Sequence, residues 1–135
     1  MKLIETINSS IQSALPTLSR INLGNVDKSI CQNTYNYNGV DTITLKQKGY
    51  YLVLFKADLT STATTQQMQV GIIANGTPST LVESSVYATA SGEVQTTAFQ
   101  KIVKVCNEPL VLQFQNSGAV ATTISNVIVS VVKIA

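Results

Sequence analysis

The sequence of 135 residues contains no histidine and no tryptophan, and charged residues make up only 12% of it. Histidine is the side chain that most often serves as a general base or a metal ligand near neutral pH. Its absence excludes a Ser-His-Asp or Cys-His catalytic group outright. We therefore expect a protein that is not an enzyme, with no catalytic residues, no cofactor and no bound metal.

Charge of either sign is sparse and scattered. The seven acidic residues stand singly along the chain. Two of them could still meet in space as the carboxylate pair of a glycosidase, so a polysaccharide hydrolase remains the least favoured alternative. The net charge is only +2, and the basic residues do not form the concentrated patch that nucleic acid binding requires. We expect no nucleic acid partner.

Long apolar runs are also missing. No uninterrupted run approaches the roughly 18 residues that a membrane-spanning helix needs. Polar residues such as Glu5 and Asn8 interrupt the N-terminal segment, so it does not read as a secretory signal. We expect neither a membrane partner nor export by that route. The two cysteines, Cys31 and Cys106, have no metal-binding spacing and are predicted to be small core residues rather than a disulfide.

Valine, isoleucine and threonine are abundant, a composition that favours β-sheet. From Leu18 onward the chain reads as short strands separated by turns such as Asn38-Gly39 and Asn75-Gly76. The predicted strands are Leu18–Leu23, Ser29–Tyr37, Val40–Leu45, Tyr50–Leu59, Gln67–Ala74, Leu81–Ala88, Val94–Val105, Leu110–Gln115 and Ile124–Ala135. This pattern predicts an all-β protein, an antiparallel β-sandwich or jelly roll.

The N-terminal segment has a different periodicity. Apolar residues recur there at three- and four-residue steps, which predicts a short amphipathic helix ending at Pro16. We expect an N-terminal arm over residues 1–17 and a jelly-roll domain over residues 18–135. The arm could lie on its own domain, dock on a partner or bundle with its copies, and an extended arm is a further possibility. The residues predicted for partner attachment are Ile4, Ile7, Ile11 and Leu15.

The C-terminal segment from Ile124 to Ala135 is apolar on both faces of a predicted strand. One face carries Ile124 with the later isoleucines and Val132, and the other carries the remaining valines. A two-layer sandwich covers only one of these faces. Leaving three or four such side chains in water forgoes roughly 1.5–3 kcal/mol each. We therefore expect another copy of the chain to cover the second face.

The order of these features resembles the jelly roll of the tumour necrosis factor and complement-globular-head superfamily. The segment Gly49-Tyr50-Tyr51 is similar to the Gly-x-Tyr strand of that family. It is followed by a strand ending in Asn75-Gly76, a strand of small polar residues, a two-strand hairpin and a final apolar strand. The resemblance covers the chain from Gly49 to its last residue.

In that superfamily three protomers pack around a threefold axis through the sheet that holds the Gly-x-Tyr strand and the last strand. The resemblance therefore implies a homotrimer. It places Tyr50, Leu52 and Leu54 in the core of the protomer. The residues that it implies for the trimer interface are Tyr51, Val53, Phe55, Ile128, Ser130, Val132 and Ile134.

Small trimeric domains of this kind also resemble decoration proteins of bacteriophage capsids. The resemblance implies a non-enzymatic virion protein of the capsid decoration or head-fibre type, made in the host cytoplasm and attached to other capsid proteins through its N-terminal arm. The alternative is a trimeric module of a phage tail fibre or bacterial surface filament. Loops at residues 60–65 and 88–92 would then recognise a glycan or protein of the host surface.

Two tyrosines are a separate possible contact for a sugar. Tyr35 and Tyr37 lie two residues apart, on one face of a predicted strand. Their rings could stack on a sugar, although such tyrosines are more often packing residues.

Overall fold

The computed structural model describes residues 1–78 and 83–135 and contains two six-stranded antiparallel sheets. The strands are β1 Leu3–Asn8, β2 Gln12–Leu15, β3 Asn25–Ile30, β4 Tyr35–Tyr37, β5 Ile43–Leu45, β6 Gly49–Ser61, β7 Gln66–Ala74, β8 Thr77–Pro78, β9 Ser84–Ala88, β10 Val94–Val105, β11 Leu110–Asn116 and β12 Thr122–Lys133. None of the described segments forms a helix long and apolar enough to cross a membrane.

The two sheets lie face to face. In the first sheet the order is β10-β6-β12-β1-β3, and β2 also pairs with β12. In the second sheet the order is β4-β5-β11-β7-β8, and β9 also pairs with β7. Each sheet thus joins strands that are distant in the sequence, as in a jelly roll. The prediction of an all-β antiparallel sandwich is confirmed.

The N-terminal segment forms strands, so the predicted amphipathic helix is wrong. β1 lies between β12 and β3 and pairs with both. Its burial alternates, with Ile4 and Thr6 facing the core and Ile7 on the opposite side. A helix of fewer than 15 residues is marginal by itself in water, whereas pairing with a long apolar strand satisfies the backbone and buries Ile4. Residues 3–8 and 12–15 therefore belong to the same sheet as the C-terminal strand.

The chain between β2 and β5 is less regular than predicted. Residues 18–23 run beside β11, with hydrogen bonds from Leu18 N to Asn116 O at 2.7 Å and from Ile21 N to Phe114 O at 2.8 Å, but they form no named strand. The predicted strand Ser29–Tyr37 is interrupted at Cys31, whose φ is 60°, and by the 3-10 turn Gln32–Thr34. The predicted strand Leu81–Ala88 begins outside the described residues, and β9 accounts for its later part.

Both cysteines are exposed and free, so their prediction as core residues is wrong. Cys31 lies in the turn after β3, and Cys106 directly follows β10. Each stands where a strand ends and the chain leaves the sandwich, so the side chain has no opposing sheet to pack against.

The hydrophobic core fills the space between the two sheets. From the first sheet, Tyr51, Val53 and Phe55 of β6 point inward and are fully or almost fully buried. The ring of Phe55 stacks between Phe99 and Phe114, with ring centroids 5.1 Å apart in both pairs. These aromatic contacts join the first sheet to the second through Phe114 of β11.

A β-bulge in β12 determines which of its residues face the core. Between Ser125 and Ile128 the strand advances three residues while β6 advances two, and Asn126 has a φ of 51°. The extra residue shifts the alternation, so Ile124 shares the inner face with Val127. The predicted grouping of Ile124 with the outer residues is therefore wrong. The inner residues of β12 are Ile124, Val127, Val129 and Val131, and the outer ones are Ile128, Ser130 and Val132.

The bulge is secured by one carboxylate. Asn126 donates from Nδ2 to Asp58 Oδ2 at 2.9 Å, and the Thr96 hydroxyl donates to Asp58 Oδ1 at 2.7 Å. These hydrogen bonds lower the pKa of Asp58, because they favour the charged carboxylate. Asp58 thereby ties β12 and β10 to β6 at this end of the first sheet.

Candidate interaction surfaces

The side of the first sheet that faces away from the core carries many apolar side chains, and none of residues 1–78 and 83–135 of the same copy covers them. We call it the outer apolar face. Leu54 is 38% exposed, Ile102 is 58% exposed and Ile134 is 49% exposed. Its apolar members are Leu3, Ile7, Ile30, Tyr50, Leu52, Leu54, Ile102, Ile128, Val132 and Ile134.

An unbroken apolar row crosses the strands β10, β6, β12, β1 and β3 of this face. The strand registers place Ile102 beside Leu52, Leu52 beside Val132, Val132 beside Leu3, and Leu3 beside Ile30. All five are exposed or only half-buried. Neighbouring strands lie about 4.8 Å apart, so the row extends for about 19 Å. A continuous apolar strip of this kind is a candidate interaction site.

The next row along the strands contains Leu54 and is otherwise polar and partly paired. Ser130 donates from Oγ to Glu5 Oε2 at 2.7 Å, and Lys28 Nζ lies 3.7 Å from Glu5 Oε1. Beside this row a depression of about 360 Å³ opens between β10, β6 and β12, lined in part by Leu54, Phe99 and Ile128. The outer apolar face therefore has both a flat apolar strip and a recess that a partner side chain could enter.

The structure divides the predicted trimer interface into two sets. Ile128, Ser130, Val132 and Ile134 lie on the outer apolar face or at its end, where their place in a trimer interface stays a prediction. The other three residues do not lie there, so their assignment to an interface between copies is wrong. Tyr51, Val53 and Phe55 point into the core of their own sandwich. The residues that were predicted for the core, Tyr50, Leu52 and Leu54, lie instead on the outer side of β6.

The sequence does contain a signal for the correct face of β6. The series that begins at Tyr51 continues through Ala57 and Leu59 and stays apolar, whereas the series that begins at Tyr50 continues through Lys56 and Asp58. The series that ends in two charges has to reach solvent, because unpaired buried charges are very costly. Extending the comparison beyond Phe55 would have assigned both faces.

The four residues predicted for partner attachment do not share a surface. Ile4 is buried in the core, and Leu15 is partly buried and packs against the core. Ile7 lies on the outer apolar face, while Ile11 is 68% exposed in the turn between β1 and β2. Successive side chains of a strand point to opposite faces, so these four residues do not form the common apolar face that a helix would have given them.

A second groove opens at the edge of the sandwich where β3 faces β4. We call it the edge groove; it has a volume of about 490 Å³. The Tyr35 hydroxyl donates to Lys2 O at 2.6 Å, and the Tyr37 hydroxyl donates to Gly24 O at 2.6 Å. Both tyrosines are therefore fixed between the sheets. The residues that line the edge groove are Ile4, Val26, Ser29, Gln32, Asn33, Tyr35, Asn36, Tyr37 and Lys46.

Alkaline pH is expected to destabilise the protein through these two tyrosines. Burial raises the pKa of Tyr35 and of Tyr37 to about 12, from an ordinary value of 10.0. Below pH 10 both tyrosines are protonated in the folded and in the unfolded protein, so their contribution to the free energy of unfolding is fully present. Above pH 10 the unfolded chain releases protons that the folded chain retains, so the free energy of unfolding falls until about pH 12.

Urea unfolding at pH 9, 10 and 11 measures this effect, and a Tyr35→Phe/Tyr37→Phe double variant is the comparison. We expect the double variant to be less stable at pH 9, because it lacks the hydrogen bonds of both hydroxyls, but to lose less stability per pH unit above pH 10. An equal loss in both proteins would contradict the assignment.

The acidic side chains of the described residues are mostly engaged in local contacts. Glu5 pairs with Lys28, and Glu83 lies 2.6 Å from Lys101 across the opposite edge of the sandwich. Within residues 1–78 and 83–135, no three histidine, cysteine, aspartate or glutamate side chains come together as a possible metal site.

No protein-family model matches this chain, and no curated protein matches it. Solved structures do match its fold. The globular domain of a zebrafish complement 1qA protein matches with a TM-score of 0.71 and 9% identity, covering 100% of this chain and 98% of that one. Murine APRIL at pH 5.0 matches with a TM-score of 0.64 and 9% identity, covering 98% of both chains. The Eiger TNF of S. frugiperda matches with a TM-score of 0.63 and 8% identity, covering 100% of this chain and 94% of that one.

These likenesses extend over the whole chain, and their low identities mean that they show the fold alone. The chain has the TNF-like jelly-roll fold of these structures, which the resemblance of its sequence implied. N-terminal residues 3–15, for which the sequence pattern predicted a separate arm, are part of that jelly roll.

Proposed function

We propose that the protein is a non-enzymatic structural protein that assembles as a homotrimer through its outer apolar face. The observation that carries this proposal is the five-residue row from Ile102 to Ile30, which no part of a single described copy covers. Burying apolar side chains on association removes them from water at about 25 cal/mol per Å². A second copy of the chain is the partner that we propose, because it carries the same apolar row.

Two carboxylates on this face have partners of their own, which makes them compatible with burial. Glu5 already has Ser130 and Lys28 as partners within the same copy. Asp58, at the end of the face, accepts hydrogen bonds from Asn126 and Thr96. Groups that keep their own hydrogen bonds lose less on desolvation than unpaired ones. Association can therefore bury the apolar row without leaving these carboxylates unsatisfied.

A threefold arrangement is favoured over a twofold one by the resemblance to the superfamily described above, whose members use this sheet around a threefold axis. The finer role that we propose is a capsid decoration or head-fibre protein of a bacteriophage virion. Its N-terminal attachment would then use the exposed turn around Ile11, because β1 itself is committed to the sheet. The resemblance to trimeric decoration proteins supports this role.

A second candidate is a trimeric binding module for a glycan or protein of the host surface. The observation that favours it is the edge groove, which is lined largely by polar side chains and lies on the opposite side of β3 from the apolar row. In this candidate the trimer is the same, and the edge groove rather than the virion contact is the functional site.

Light scattering on the purified protein tests the assembly. We expect a mass three times the 14.5 kDa of one chain, unchanged on dilution to micromolar concentration. A mass of one chain at that concentration would contradict the proposal. Mass spectrometry of particles purified from the source then tests the virion role, because a decoration protein is expected in stoichiometric amounts with the major capsid protein.

A further inference from the structure

The edge groove lies where the sandwich is open. β3 pairs only with β1, and all six of its residues are exposed. β4 is the corresponding edge of the second sheet. At the opposite edge of the sandwich, Lys101 and Glu83 form a salt bridge between β10 and the residue before β9. Among the described residues, no ion pair of that kind joins β3 to β4, so the groove between them is accessible.

Several polar side chains around the edge groove have free hydrogen-bonding groups. Within the described part of the chain, the side chains of Gln32, Asn33, Asn36 and Lys46 make no hydrogen bond or salt bridge, and all four are exposed. Amides on the outer side of the second sheet behave differently, since Gln113 donates to Thr42 at 2.9 Å. The carboxamides of the edge groove are therefore available to a ligand.

The backbone that carries these groups is held in place. Cys31 adopts a left-handed conformation with φ 60°, which few non-glycine residues do, and such residues concentrate at ligand sites. The 3-10 turn that follows is fixed by hydrogen bonds from Thr34 N to Cys31 O at 3.0 Å and from Lys46 N to Thr34 O at 2.9 Å. A preformed site loses little conformational freedom when a ligand binds.

The chemistry of the lining selects the ligand class. Carboxamides both donate and accept hydrogen bonds, which suits the many hydroxyls of a sugar. The volume of about 490 Å³ lies within the usual range for small-molecule sites. The tyrosine hydroxyls donate to backbone carbonyls, so their rings act as walls of the groove. Lys46 is the charged residue of the lining, and its ammonium favours a ligand that carries a carboxylate.

We propose that the edge groove binds a carboxylated monosaccharide unit, with Gln32, Asn33 and Asn36 contacting its hydroxyls and Lys46 its carboxylate. This site deepens the second candidate function and does not depend on the virion role. It also differs from the loops at residues 60–65 and 88–92, which the sequence suggested for glycan contact.

Titration of the isotope-labelled full chain with N-acetylneuraminic acid, followed by two-dimensional NMR, tests the site. We expect the side-chain amide signals of Gln32, Asn33 and Asn36 to shift with a common dissociation constant. We expect Lys46→Gln to weaken this binding about tenfold, as for loss of a charge-assisted hydrogen bond. Asn36→Ala should also weaken it. Galactose, a neutral probe, should bind the native protein more weakly than the acidic sugar does.

The matched controls are Lys48→Gln and Asn107→Ala, which change an exposed lysine and an exposed amide outside the edge groove. Both should bind N-acetylneuraminic acid as the native protein does. The inference is overturned if no signal shifts at tens of millimolar sugar, if the shifts lie elsewhere, if galactose binds equally tightly, or if Lys46→Gln has no effect. The mass of the same samples is also measured by light scattering. This measurement shows whether the chain forms a trimer independently of whether it binds the sugar.

Discussion

Deletion of residues 1–16 is expected to unfold the protein. The deletion removes β1 and β2, and β1 occupies an interior position of the first sheet. All six residues of β1 pair with β12, and the same strand is the partner of β3. Each backbone hydrogen bond contributes about 1 kcal/mol and burial of Ile4 about 1.5–3 kcal/mol, against a total stability of about 5–15 kcal/mol. The losses are comparable to the whole stability.

Far-UV circular dichroism and thermal unfolding of the deleted chain measure this effect. We expect loss of the β-sheet spectrum and of a cooperative transition. Ile11→Ser is the control, because Ile11 is exposed in the turn between β1 and β2 and its replacement should leave the unfolding midpoint within a few degrees. A folded, cooperative protein lacking residues 1–16 would instead show that β1 is a dispensable arm.

The fold was largely predictable because its signals are local. Turn sequences such as Asn38-Gly39 and Asn75-Gly76 separate apolar segments of strand length, and the strands β6, β10, β11 and β12 lie close to their predicted positions. The two-sided apolar character of β12 also predicted correctly that the first sheet would have an apolar outer side. These inferences need only the two-residue period of a strand and the chemistry of its turns.

The features that could not be predicted depend on tertiary context. The N-terminal stripe of Ile4, Ile7 and Ile11 fits a helix, and its conversion into a strand depends on pairing with β12, more than a hundred residues away. The bulge at Asn126 reverses the alternation of β12, and a period of two cannot reveal where an extra residue is inserted. Both cases involve long-range pairing overriding a local pattern.

The edge groove was only partly visible in the sequence. The sequence indicated Tyr35 and Tyr37 as possible sugar contacts. Tyr35 is buried, however, and its ring packs edge-to-face against that of Tyr51, with the ring centroids 6.1 Å apart. The exposed amides and Lys46 carry the site instead, and they come from the turn after β3, from β4 and from the residue after β5. Their availability depends on which amides find partners in the fold, a property that no single-residue pattern encodes.

The two candidate surfaces occupy different parts of the sandwich, so one can be disrupted while the other is retained. The apolar row lies on the outer side of the first sheet, whereas the edge groove opens between the sheets. A variant that dissociates the proposed trimer should therefore keep in each copy the edge groove that we propose for sugar binding. The substituted residue must contribute to contacts between copies but not to the folding of a single chain.

Adjacent residues of β6 provide that separation. Leu54→Asp is expected to give folded monomers, whereas Phe55→Asp is expected to give unfolded or insoluble protein. Leu54 is already partly in water in a single copy, so its aspartate remains solvated in the monomer. In a trimer the same charge would be buried without a partner in every copy, at several kcal/mol each. Phe55 is 2% exposed and packs between two aromatic rings, so a charge there acts on the fold itself.

Light scattering and thermal unfolding distinguish the two outcomes. For Leu54→Asp we expect the mass of one chain with a cooperative unfolding transition. Val132→Asp should give the same result, because Val132 lies on the same face in the adjacent strand β12, opposite Leu52. Leu54→Ser controls for loss of apolar area without charge and should weaken the trimer less. A stable trimer of Leu54→Asp would mean that copies associate through another surface. Because Leu54 and Phe55 are consecutive, opposite results can only reflect the face on which each lies, which is the structural fact on which the assembly proposal depends.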